Sequence, residues 1–109
     1  MAIRLEKTFL PLDADHLHRV KGQLGVYELA DNDGQTLFIG FAGGRSPFGL
    51  RGELDGQLER RGPGLRFRAE VNMQYTSRYR ELLMAYVSDH GELPPDNQQD
   101  PTLHKLGRL

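Results

Sequence analysis

The sequence contains no cysteine. That excludes a disulfide framework, a thiolate metal site and a cysteine nucleophile, and it fits a reducing compartment. Lysine is scarce as well, because eleven of the fourteen basic residues are arginine. Long apolar runs are missing. The longest, Leu37 to Gly44, is far too short to cross a bilayer. The stretch MAIRLEKTFL has no extended apolar core of the kind a secretory signal carries. The expectation is a soluble, cytoplasmic protein without membrane association. There is no repeat and no low-complexity tract.

What is present is an ordinary globular composition over 109 residues, 27 % of them charged. That length suits one domain around one core. A net charge of −1 gives the molecule no long-range pull on a polyanion. The charge is nevertheless uneven. Residues 45–80 hold eight arginines against four acids, a local +4, and the remainder sums to −5. Asp89 to Pro101 carries four acids and no lysine or arginine. The planar, fork-shaped guanidinium suits phosphate recognition.

Periodicity and punctuation then predict the elements. Residues 13–21 read as a short helix with Asp13 accepting from its free N–H groups and Gly22 ending it. Residues 23–41 read as a β-hairpin around the turn Asp31-Asn32-Asp33-Gly34. Leu50, Leu54 and Leu58 recur every fourth position, one face of a helix that Gly62-Pro63-Gly64 stops. Phe67, Ala69, Val71, Met73 and Tyr75 alternate with Arg66, Arg68, Glu70, Asn72 and Gln74, which predicts a strand over 65–75. A last helix is predicted from Ser77, as N-cap, to His90, with Gly91 beyond its end. The expected architecture is α+β: a small three-stranded, mostly antiparallel sheet flanked by helices, in the order α-β-β-α-β-α. Residues 1–22 form an N-terminal helical extension, 23–91 the domain proper, and 92–109 an extended Pro- and Asp-rich tail.

Gly25-Val26-Tyr27, then ten residues, then Phe38-Ile39-Gly40 resembles the paired tripeptides of the GIY-YIG nuclease superfamily. The resemblance covers residues 23–90, and that family's β-β-α-β-α order matches the elements predicted there. It implies phosphodiester hydrolysis. Two tyrosines handle the attacking water, a helix arginine steadies phosphate charge, and a helix glutamate holds one divalent cation, Mg²⁺ if the site is active. Tyr27 matches the first tyrosine. Phe38 keeps the ring of the second but has no hydroxyl to donate or accept. The family's Leu-Arg-x-Arg-Leu stretch falls on Leu50-Arg51-Gly52-Glu53-Leu54, so its arginine position holds Glu53. Arg51 lies about 200° away around the helix, and Arg45 in the preceding loop is another stand-in. The metal-glutamate position falls on Tyr79. Glu81 is the nearest acid, and Glu53, Asp55 and Glu70 are further oxygen donors without a spacing argument.

The catalytic candidates are therefore Tyr27, Phe38 and Arg51, with Glu81 as the metal candidate. Arg45, Arg66 and Arg68 are candidates for nucleic-acid contact, with the Gly43-Gly44 loop offering amides ahead of a helix. The loop is not a P-loop, since no Gly-Lys-Ser/Thr follows. His16 and His18 stand on different sides of their helix, while His90 and His104 read as surface residues. These residues describe a diverged domain, non-catalytic or strongly altered, that contacts DNA or RNA through its Arg-rich segment. The alternatives are a Mg²⁺-dependent endonuclease and a protein-interaction domain without nucleic acid.

Overall fold

The computed structural model describes residues 3–100. The chain runs β1 (Leu10–Pro11), α1 (Ala14–Leu17), β2 (Gly25–Ala30), β3 (Thr36–Ala42), α2 (Gly49–Arg61), β4 (Arg66–Val71), α3 (Tyr75–His90) and a 3-10 turn (Asn97–Gln99). The expected three-stranded, α-β-β-α-β-α architecture is thereby corrected. The sheet has four strands, spatial order β1-β4-β2-β3, and every pairing is antiparallel. The additional strand is only two residues long, too short for any periodicity to announce it. Its proline is tolerated because it sits on an edge.

β2 is the centre of the sheet, paired with β3 on one side and β4 on the other. All six of its residues are buried, because both faces of the sheet are covered. On one face Tyr27 and Leu29 pack with Leu12, Leu17, Leu50, Leu54 and Phe67 beneath α1 and α2. On the other, Val26 and Ile39 pack with Leu5, Leu82, Leu83, Val87 and Leu93 beneath α3. Residues from the expected N-terminal extension (Leu5, Leu12, Leu17) thus sit in the core.

The local differences have local causes. Asp13 caps α1 by accepting from the His16 amide at 2.9 Å, yet the helix is one turn long, ending at Leu17. β4 stops at Val71, short of the expected Tyr75. Asn72 Oδ1 accepts from the Gln74 amide at 2.8 Å and turns the chain, so α3 starts at Tyr75 and Ser77 falls inside its first turn. Val71 and Met73, on the apolar side of the predicted alternation, are exposed. Gly91 ends α3 with φ 83°, the left-handed conformation that favours glycine.

The segment after α3 is not extended throughout: it carries the 3-10 turn Asn97–Gln99, and its Leu93 and Pro94 are buried. Asn97 clamps the outer edge of β3. Its Oδ1 accepts from the Ile39 amide at 2.8 Å and its Nδ2 donates to the Ile39 carbonyl at 2.9 Å. One side chain therefore imitates a neighbouring strand and covers an edge. The remainder of the tail, residues 101–109 with His104, lies outside the described residues.

Candidate functional site

A groove of about 810 Å³ opens between the β3 side of the sheet, α2 and the start of α3. Strand alternation puts Tyr27, Phe38 and Gly40 on the same sheet face, because Tyr27 pairs with Gly40 and Leu29 with Phe38. The Tyr27 and Phe38 rings lie 6.1 Å apart, centroid to centroid. Gly40 is required by this contact: a Cβ there would lie 2.5 Å from the Tyr27 hydroxyl oxygen. Gly25 has a comparable reason, since a Cβ would lie 2.1 Å from the Glu70 carbonyl oxygen. Both tripeptide glycines are thus fixed by close approach.

α2 supplies the second wall. Leu50 and Leu54 point into the core, which turns Glu53, Gln57 and Arg60 towards the groove at i, i+4 and i+7. Gln57 Nε2 donates to the Tyr27 hydroxyl at 3.0 Å, and Arg61 Nε donates to Gln57 Oε1 at 2.7 Å. Arg61 is itself paired with Asp96 and lies over the Phe38 ring. Burial pushes the Tyr27 phenol up to about 12; the Gln57 hydrogen bond opposes this, the Glu53 carboxylate adds to it, and Arg60 and Arg61 oppose it. At neutral pH Tyr27 is a neutral phenol whose oxygen already accepts one hydrogen bond.

The third wall is aromatic. Tyr75 and Tyr79 come from α3, and Phe41 from β3 stacks on Tyr75 at 5.6 Å with planes 11° apart. Phe41 is 42 % exposed, an apolar ring at the groove mouth. Arg45, on the loop after β3, and Arg60 both line the groove and form no ion pair among the described residues.

The sequence candidates divide accordingly. Tyr27, Phe38 and Arg45 come together in the groove. Arg51 does not. It faces away, beside His18 and Asp55. Arg68 lies on the opposite sheet face, where its Nε donates to the buried Glu28 at 2.8 Å and its guanidinium sits over Phe9. Arg66 is exposed at the far end of β4, near Asn32. The loop amides are already committed, Gly43 to Ser46 Oγ at 3.1 Å and Gly44 to the Tyr75 hydroxyl at 3.2 Å.

The resemblance's metal ligand does not fit these residues. Its position holds Tyr79, whose phenol is pushed up to about 12 by burial and by the Asp100 carboxylate, against the Asn97 hydrogen bond. Glu81 faces away from the groove and is bound to Arg78. Glu53 accepts from Ser46 Oγ at 3.0 Å. Among the described residues, no group of three or more histidine, aspartate or glutamate side chains is gathered that could hold a metal ion.

Phe41, Gln57, Arg60, Tyr75 and Asn97 line the groove and are not among the candidates that the sequence offers. For Gln57 and Arg60 a signal existed. Both repeat the face of Glu53, and Arg60 returns to nearly its angle two turns on, about 10 Å further along α2. Tyr75 was hidden by the misplaced start of α3, and Asn97 offers no local pattern at all.

The chain belongs to the family described as Domain of unknown function (DUF7508), which it matches over residues 3–89. That match takes in all four strands and all but the last residue of α3. No curated protein matches the chain. Among the described residues no helix is long and apolar enough to cross a membrane.

Proposed function

We propose that this is a diverged GIY-YIG-like domain whose groove binds single-stranded nucleic acid without the family's metal-assisted hydrolysis. One observation carries the reading. Tyr27 and Phe38, the tyrosine positions of the two tripeptides, line the same groove as two arginines that form no ion pair among the described residues, Arg45 and Arg60. Arg60 supplies, two turns further along α2, the positive charge missing where Glu53 stands. Phe41, Tyr75 and Tyr79 form an aromatic cluster at the groove mouth with the Phe41 ring partly exposed, and base–aromatic stacking contributes about 1–3 kcal/mol per base. A duplex would present few free bases to that ring. The altered chemistry is argued from Phe38, which has no hydroxyl, from the neutral, hydrogen-bonded Tyr27, and from Tyr79 at the metal-glutamate position.

A fluorescence-anisotropy titration of labelled oligothymidine and duplex DNA tests this directly. The single strand should bind more tightly, and the Arg45→Gln/Arg60→Gln double variant should lose most of that affinity. Equal affinity of the double variant rejects the groove as the binding surface. Oligonucleotide cleavage in Mg²⁺ or Mn²⁺ that is abolished by Tyr27→Phe rejects the loss of hydrolysis and restores the endonuclease alternative.

A further inference from the structure

The two edges of the sheet are treated differently. At β3 the tail covers the edge: Asn97 pairs with Ile39, and the Asp96 amide donates to the Leu37 carbonyl at 3.0 Å. At β4 the edge is left open. β1 pairs only Leu10 with Phe67 and Pro11 with Arg66; the residues before it meet β4 through the Arg68 side chain, which donates to the Lys7 carbonyl at 3.2 Å and lies over Phe9, so no backbone ladder bond continues beside Arg68–Val71 among the described residues. In an antiparallel strand the N–H and C=O of one residue point to the same side, and the side alternates. The Asn72 amide donates to Leu24 on the β2 side at 3.0 Å, whereas the Leu65 carbonyl accepts from Leu12 on the outer side at 2.9 Å. Ala69 and Val71 therefore present both backbone groups outward.

A groove of about 580 Å³ runs along this open edge. Its floor is apolar and includes Leu10 and Val71, 44 % and 50 % exposed. Its rim carries Lys7, Arg19 and Lys21, none of them in an ion pair among the described residues, and no acidic side chain lines it. In strand addition an open edge supplies main-chain hydrogen bonds and an apolar floor takes alternate side chains, and here a cationic rim suits acidic ones.

We propose that the open edge of β4 at Ala69 and Val71 docks an extended, acidic segment of a partner protein. The segment adds a fifth strand, with apolar side chains on the groove floor and carboxylates against Lys7, Arg19 and Lys21. A nucleic acid would meet the same charge, but it has no backbone to continue the ladder and little use for the apolar floor. This surface is separate from the Tyr27 groove and does not depend on it.

The test titrates the full chain with a fluorescein-labelled Asp-Val repeat hexapeptide. Its arms are the Lys-Val analogue, the Asp-Val peptide N-methylated at alternate amides, and oligothymidine as competitor. The acidic peptide should bind and the Lys-Val peptide should not. N-methylation, which blocks ladder bonds while keeping charge, should abolish binding. The exposed triple substitution Lys7→Glu/Arg19→Glu/Lys21→Glu should weaken it about tenfold or more, with an unchanged far-ultraviolet circular dichroism spectrum. Arg45→Gln/Arg60→Gln should leave it unaltered. Absence of peptide binding overturns the proposal. So does equal affinity of the N-methylated peptide, and so does displacement by oligothymidine, which would make the rim a polyanion surface.

Discussion

Gln57 and Tyr27 share a buried hydrogen bond, Nε2 to hydroxyl oxygen at 3.0 Å, that ties α2 to the centre of the sheet. The same amide's oxygen is held by Arg61, which Asp96 holds in turn. A chain of polar contacts thus runs from the segment after α3, through α2, to the middle strand. Tyr27→Phe leaves the Gln57 amide without its acceptor in a buried site. The expected cost is about 1–2 kcal/mol, read by urea denaturation, and Tyr27→Phe/Gln57→Leu should recover part of it. Zero coupling between the two substitutions, measured against Gln57→Leu alone, contradicts the pairing.

Alkaline pH offers an independent reading of the same phenol. Burial first of all raises Tyr27 to about 12 from an ordinary 10, and Tyr79 likewise. Raised folded-state values mean that the stability from these neutral phenols is fully present below about pH 10 and is lost as pH rises towards 12. Unfolding followed through that window should steepen with pH. Tyr27→Phe and Tyr79→Phe should each flatten the dependence and remove one late-titrating phenol from the ultraviolet tyrosinate signal. A Tyr27 that ionises with the ordinary phenols would contradict its burial.

Acid acts through Glu70. Burial raises its carboxyl, but hydrogen bonds from Arg78 and Asn72 outweigh that and hold it below the usual carboxylate value of 4.5. The stability it contributes is present above that value and is lost as pH falls through the lowered one. Glu70→Gln should make stability less sensitive to acid over that window, as thermal denaturation at stepped pH would show.

Asn97→Ala leaves the buried amide and carbonyl of Ile39 without partners. Two such groups should cost about 2–4 kcal/mol. Hydrogen exchange at the Ile39 amide, compared between the two proteins, locates the loss. An unchanged protection factor there would show that the clamp does not hold the edge.

Arg68→Met removes the partner of Glu28, which is 6 % exposed and also accepts from the Thr36 hydroxyl. Leaving a buried carboxylate unpaired should cost about 3 kcal/mol. Glu28→Gln/Arg68→Met should regain stability, and oligothymidine affinity at a temperature where the variant stays folded should not change. Weaker binding by a folded Arg68→Met protein would return that arginine to the nucleic-acid surface.

The fold was legible where side chains repeat. The hairpin and the Leu50-Leu54 face of α2 follow from spacing that burial then exploits. The sequence hid what depends on single contacts. β1 is two residues long, the Asn72 turn cuts β4 short, and Asn97 reaches Ile39 across 58 positions. The site was half legible for the same reason. Tyr27, Phe38 and Arg45 stand in or beside the tripeptides. Arg68 carries the residue type suited to phosphate, but strand pairing sets it opposite Glu28, and a local charge count cannot register a partner 40 positions away.

In the proposed function Arg45 and Arg60 meet phosphate in the Tyr27 groove. The most direct measurement is oligothymidine affinity across a salt series, for the unaltered protein and for Arg45→Gln/Arg60→Gln. Each phosphate contact on a single strand contributes about −0.7 to the slope of log K against log salt, so the double variant should be shallower by about 1.4. Parallel lines for the two proteins would contradict the claim.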